Sequence, residues 1–140
     1  MEADTRKRLF DSLPRQGATG IGWFYFPITL IDNPLDDAPF VSEEVFGPIR
    51  SILKYTDLED AIRRANNTRY GLGASVWGKD PGTLHRVAQQ LKAGTVWVNQ
   101  HAVIQGDIPF GGHKWSGLGV QFGHQGLEGF CNTRVVAIKP

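Results

Sequence analysis

Cysteine is nearly missing: Cys131 is the one thiol among 140 residues. A single cysteine makes no internal disulfide, so a disulfide-stapled scaffold is excluded and a cytoplasmic setting is expected. Long apolar runs are missing too. No stretch approaches the ~20 residues that a helix needs to span a bilayer. The opening Met1-Glu2-Ala3-Asp4 is acidic with no apolar segment behind it, unlike a secretory signal; no membrane association is expected. Charge of one sign is also lacking, since fifteen Lys+Arg against fourteen Asp+Glu leave a net +1. Binding to nucleic acid by phosphate neutralisation needs a basic patch. The nearest thing to one, Arg6-Lys7-Arg8, is short, flanked by acids and reads as a solvated helix face. Finally, a chain of this length is one domain and has no room for two full domains with linkers.

Several chemical signatures are absent as well. There is no G-x-G-x-x-G, no P-loop, no G-x-S-x-G and no H-E-x-x-H. Gly117 to Gly123 comes nearest to the first, but it is one residue too long and does not lie between a strand and a long helix. His85, His101, His113 and His124 stand at no metal-ligand spacing. His85 reads as an exposed helix residue and the others as loop residues, so no metal is expected.

Glycine and proline are abundant instead. Seventeen glycines and eight prolines make about 18% of the chain against an average near 12%. They gather between Gly17 and Gly22 and from Gly106 to Gly129, which reads as a folded domain carrying two glycine-rich loops.

The patterning predicts an α/β fold. Residues 3–13 read as a short helix ended by Pro14. Residues 23–26 and 28–31 read as strand broken at Pro27, an edge strand or two short ones, and 33–39 are turn-rich. Ile49–Tyr55 reads as a strand. A helix follows, capped by Asp57, with Leu58, Ala61, Ile62 and Ala65 on one stripe and Asn66-Asn67 as its stop. Leu72–Trp77 is the next strand. Asp80-Pro81 marks a second helix start, with Leu84, Val87, Ala88 and Leu91 as its stripe and Gly94 as a left-handed cap. Thr95–Asn99 is a third strand. Residues 48–99 thus predict a parallel β-α-β-α-β core. A glycine-rich loop over 100–123, a helical piece near 124–130 and a C-terminal strand, Thr133–Ile138, complete the reading.

Two segments and one thiol could carry chemistry. In Glu43-Glu44-Val45-Phe46-Gly47-Pro48, a carboxylate and an aromatic ring stand at the entrance to a parallel strand. A carboxylate can accept two hydrogen bonds from vicinal ribose hydroxyls, and a ring two residues on shares its side in extended chain. The same residues also fit a solvated acidic pair and a core Phe, which composition alone favours. Pro109-Phe110-Gly111-Gly112-His113-Lys114-Trp115-Ser116-Gly117 follows the carboxyl end of a strand, where open α/β sheets bind ligands. Its paired glycines allow close backbone approach and Phe110 could line an apolar pocket; a compact surface loop anchored by Phe110 fits as well. Cys131, with Arg134 three residues on, has a cation that could activate a thiol, but its place before an apolar strand favours a half-buried structural role.

Taken together, Glu43 to Pro48, Arg64-Ala65-Asn66-Asn67-Thr68-Arg69-Tyr70-Gly71-Leu72, Ala93-Gly94-Thr95-Val96-Trp97-Val98-Asn99 and Pro109 to Gly117 closely resemble, in order and spacing, the C-terminal part of the NAD(P)-dependent aldehyde dehydrogenase superfamily. The likeness runs from about Gly17 to the end. It implies the later part of the catalytic domain over 17–131, an N-terminal helix and linker over 1–16, and a terminal oligomerisation-type strand over 132–140. It implies cofactor-binding roles for Glu44, on the nicotinamide ribose, and Phe46, beside the nicotinamide. It implies a substrate-lining role for Phe110, with residues from Asn99 to Lys114 shaping the pocket. The cofactor implied is NAD or NADP; the partners implied are an aldehyde and further chains, joined through a sheet edge or the terminal strand.

The complete enzyme of that family oxidises an aldehyde to a carboxylic acid through a cysteine thiohemiacetal. The family's nucleophilic cysteine, oxyanion-hole asparagine and general-base glutamate belong to sequence upstream of these motifs, and Cys131 does not align with the nucleophile. No catalytic residue is therefore expected within this chain, which alone is expected to be inactive. Ile104 stands where many relatives have an aromatic. Gln121 stands where the family usually has Glu, and an amide cannot ionise to carry a proton relay. A non-catalytic interaction module and a truncated remnant are the alternative readings.

Overall fold

The computed structural model describes residues 26–140. The helix expected over 3–13, the loop after it and the first half of the broken strand lie outside the described residues. The chain divides into two compact units, one ending at Asp57 and the other beginning at Leu58.

In the first unit, β1 (Thr29–Asp32) and β2 (Ile49–Ile52) are parallel, with Thr29 opposite Ile49 and Asp32 opposite Ile52. The ladder extends at both ends, from Thr29 N–H to Pro48 O at 2.8 Å and from Asn33 N–H to Ile52 O at 2.7 Å. A one-turn helix, α1 (Pro39–Ser42), lies in the connection, where the sequence predicts only turns; Pro39 occupies its first turn, where a missing N–H costs nothing. Ser51 Oγ donates to Phe40 O at 3.1 Å and ties this helix to β2. Ile49 is the buried anchor of the unit.

The second unit holds α2 (Leu58–Asn66), β3 (Tyr70–Gly71), β4 (Gly73–Val76), α3 (Pro81–Gln90), β5 (Thr95–Val98), β6 (Phe110–Gly111), β7 (His113–Lys114), β8 (Val120–Gln121) and α4 (Gly123–Glu128). β4 and β5 are parallel, with Gly73 opposite Thr95 and Val76 opposite Val98, and α3 is the crossover between them. Its start follows from two residues. Pro81 sits in the first turn, and Asp80 accepts from Thr83 N–H at 2.8 Å, satisfying an amide that has no partner within the helix. Ile62, Leu84, Val87 and Trp97 are buried, the inner stripes of both helices plus the centre of β5. Ala65, assigned to the first stripe, is exposed.

The expected α/β fold is found: the β-α-β-α-β order over 48–99 appears as β2, α2, β4, α3 and β5, with β2 parallel to β1 and β4 parallel to β5. Periodicity reports that strands are parallel but not which strand is the neighbour. Some local expectations need correction. Gly94 is no left-handed cap. Helix α3 ends at Gln90, with Leu91 extended behind it. Glycine is required at 94 because a Cβ there would collide with the Gly111 carbonyl oxygen. The loop over 100–123 carries short antiparallel bridges, β3–β7 and β6–β8, each only two residues long and thus without visible periodicity. The strand expected over Thr133–Ile138 is not formed: residues 132–140 have no ladder partner among the described residues, and a strand exists only against one. Among the described residues, no helix is long and apolar enough to cross a membrane.

Candidate functional site

In the first unit the segment from Glu43 to Pro48 is held at both ends and open between. Glu43 closes α1 with an extended backbone, its N–H donating to Pro39 O at 2.9 Å. Gly47 N–H reaches Val45 O at 3.0 Å, and Arg50 Nη1 donates to Ile49 O at 2.7 Å and to Gly47 O at 3.3 Å. Glu44 is exposed and Phe46 is 89% exposed, so Phe46 is not the core residue that composition favours. A solvent-facing carboxylate beside a bare ring, on a pinned backbone, can accept hydroxyl hydrogen bonds and offer an aromatic surface to a flat heterocycle.

Phe110 stands in the second unit, half-buried in β6. The segment around it is tied down by polar groups. Lys114 Nζ donates to Asn66 O and Thr68 O, both at 3.0 Å, at the C-terminal end of α2, where a cation complements the orphan carbonyls and the helix dipole. Ser116 Oγ accepts from Gly71 N–H at 2.9 Å. Asn66 in turn donates to Gln90 O at 2.8 Å and accepts from Lys92 N–H at 2.7 Å, joining the ends of α2 and α3. Asn99, in the left-handed region at φ 52°, exchanges two hydrogen bonds with the Gly78 backbone, at 2.9 and 3.0 Å. The motif residues thus act first as a clasp. Sequence reasoning missed the clasp roles of Asn66, Lys114 and Ser116; the place of Asn66 within 64–72 and of Lys114 and Ser116 within 109–117 was the available signal.

Against this clasp lies a hollow of about 310 Å³, lined by Leu72, Phe110, Ser116, Leu118, Val120, Gln121 and the glycines at 111, 112, 117 and 119. Its surface mixes apolar side chains with peptide groups, suited to a small organic molecule with one polar end. Gln121 lies opposite Phe110 in the β6–β8 ladder. Ile104 is half exposed.

Cys131 is exposed rather than half-buried, with Sγ 3.5 Å from Leu127 O. His85 is exposed on α3. His124, placed in a loop by the sequence reading, lies on α4 with Nε2 3.1 Å from Glu128 Oε1, and His113 lies in β7. Among the described residues, no three His, Cys, Asp or Glu side chains converge to hold a metal ion.

Residues 8–136 match the model of the aldehyde dehydrogenase family. This chain belongs to that family. Aldehyde dehydrogenase 1A1 of Oryctolagus cuniculus is 42% identical over 118 residues, which are 84% of this chain and 24% of the rabbit protein. The NAD+ complex of the Bacillus cereus aldehyde dehydrogenase aligns with a TM-score of 0.69 and 43% identity, over 71% of this chain and 20% of that one. Betaine aldehyde dehydrogenase of Staphylococcus aureus, also solved with NAD+, aligns with a TM-score of 0.70 and 40% identity, over 72% and 20%. The chain therefore spans about a fifth to a quarter of the length of these aldehyde dehydrogenases.

Proposed function

We propose that this chain supplies the nicotinamide-ribose contact and part of the substrate wall of an NAD(P)-dependent aldehyde dehydrogenase. Glu44 accepts the vicinal ribose hydroxyls, Phe46 lies against the nicotinamide, and Phe110 lines the aldehyde pocket. The observation that carries the reading is the family match over residues 8–136, the span within which Glu44, Phe46 and Phe110 lie. The openness of Glu44 and Phe46 supports it. When bound, the nicotinamide accepts the hydride of aldehyde oxidation. The residues of this chain orient that group and shape the pocket; the thiol that forms the thiohemiacetal is not Cys131.

Nicotinamide mononucleotide, which carries only the ribose and base that Glu44 and Phe46 would touch, tests the cofactor end. Titrated at millimolar concentration into the ¹⁵N-labelled chain, it is expected to shift the amide signals of residues 43–47. Glu44→Gln, which keeps acceptor geometry but removes the charge, weakens that response by roughly tenfold, the scale of a charge-assisted hydrogen bond. Shifts confined to other residues, or no shifts, remove the assignment.

A second reading concerns assembly. Val135, Val136 and Ile138 are exposed, on a segment without a strand partner among the described residues. Such a segment adds readily to the open edge of another sheet, so residues 132–140 are proposed to complete their strand against a further chain. Size-exclusion chromatography with light scattering should find a dimer or larger species that Val136→Lys reduces to monomer. A monomeric parent chain would count against it.

A further inference from the structure

We infer that Trp97 is the positioning residue that sets where Phe110 and Ile104 stand; its consequence for aldehyde selection rests on the proposed substrate-lining role of Phe110. Trp97 lies in the middle of β5 and is 7% exposed, whereas Trp77 and Trp115 are 64% and 75% exposed. Its indole lies across Gly73 of β4, where an added Cβ would come within 2.7 Å of the ring. The glycine therefore makes the seat on which the ring rests.

From that seat the side chain holds three points of the loop that follows its own strand. Its Nε1–H donates to Val103 O at 2.9 Å. Its ring meets His101 edge-on, with centroids 5.5 Å apart and planes at 70°. On Phe110 it is tilted by 35° at 6.4 Å. These are the separations at which aromatic pairs attract beyond simple burial. The loop needs such a restraint. Ala102, between two of the anchored residues, sits at φ 54°, a region that an alanine side chain disfavours. Ile104 follows directly on the anchored Val103. Trp97 thus links the β4–β5 pair to Phe110, the proposed lining residue, without itself lining the hollow.

The test uses the full chain, ¹⁵N-labelled, with hydrogen exchange read by NMR. In the parent protein the Trp97 indole N–H exchanges more slowly than those of Trp77 and Trp115. Gly73→Ala places a methyl group in the seat. It is expected to speed exchange of the Trp97 indole and of amides 101–104 by about tenfold, the scale of one lost hydrogen bond, and to shift the Phe110 ring signals. Trp97→Phe keeps a ring but loses the donor, so the loop amides quicken while the Phe110 signals move less. Combining the two substitutions relieves the clash and returns the Phe110 signals toward their parent positions, with the loop amides still fast. An unprotected Trp97 indole in the parent chain, or loop exchange unchanged in both single variants, overturns the inference. Benzaldehyde, added as a probe, is expected to move the Phe110 signals in the parent chain and several-fold less in Gly73→Ala. If it leaves them unmoved while the exchange results hold, the restraint by Trp97 stands and the substrate-lining reading of Phe110 falls.

Discussion

The carboxylate of Asp80 caps the start of α3. Its pKa lies below the ordinary carboxylate value because its side chain and Thr83 are hydrogen-bonded. A folded-state pKa depressed in this way gives stability that is fully present above the unfolded-state pKa. That stability is lost as pH falls through the folded-state value. The Asp80 contribution to the urea midpoint should therefore be present in full and independent of pH near neutrality, and should decline in acid. Asp80→Asn, still a good N-cap, should remove that part of the acid dependence while leaving the neutral midpoint nearly unchanged. Asp80→Ala should lower the midpoint at neutral pH. Asp80-Pro81 was fully legible in the sequence because a cap is a local device. Gly94 was not, because its reason is the Gly111 carbonyl of a strand far along the chain. Phe46 likewise could be assigned to core or surface only once its surroundings were known.

Helices α2 and α3 were legible for the same physical reason, a stripe of apolar residues between a start and a stop. The anchor of α3 is Leu84, buried and 3.1 Å from where a side chain on Gly78 would begin. Leu84→Ala should cost about 2–5 kcal/mol, read as a lower midpoint in urea. The exposed Arg86–Glu59 pair between the two helices should contribute under about 1 kcal/mol. The clasp is the second element-scale feature. Lys114→Met should loosen β7 from the end of α2 and speed amide exchange from Tyr70 to Ser116, since two carbonyls lose a charged donor. The bridges that the clasp secures are two residues long. Nothing in a two-residue strand carries periodicity, so the sequence showed a glycine-rich loop where the chain folds into short antiparallel pairs.

At the scale of the whole molecule, motif order was the most legible property, and strand partnership the least. Four ordered segments led to the family that the match over residues 8–136 establishes. Yet the parallel ladder chosen by β2, and the lack of a ladder partner for residues 132–140 among the described residues, depend on which surfaces meet, and that is not written locally. The chain spans about a fifth to a quarter of the length of the aldehyde dehydrogenases it matches, and its single thiol, Cys131, lies exposed beyond α4. Cofactor positioning and a substrate wall are the roles proposed for this chain, and no nucleophile is proposed within it. The most direct test incubates the purified chain with a panel of aldehydes and NAD+ or NADP+ and follows the absorbance of the reduced nicotinamide. No reduction above the protein-free control is predicted. Turnover by this chain alone, abolished by Cys131→Ser, would contradict the account and make Cys131 the nucleophile.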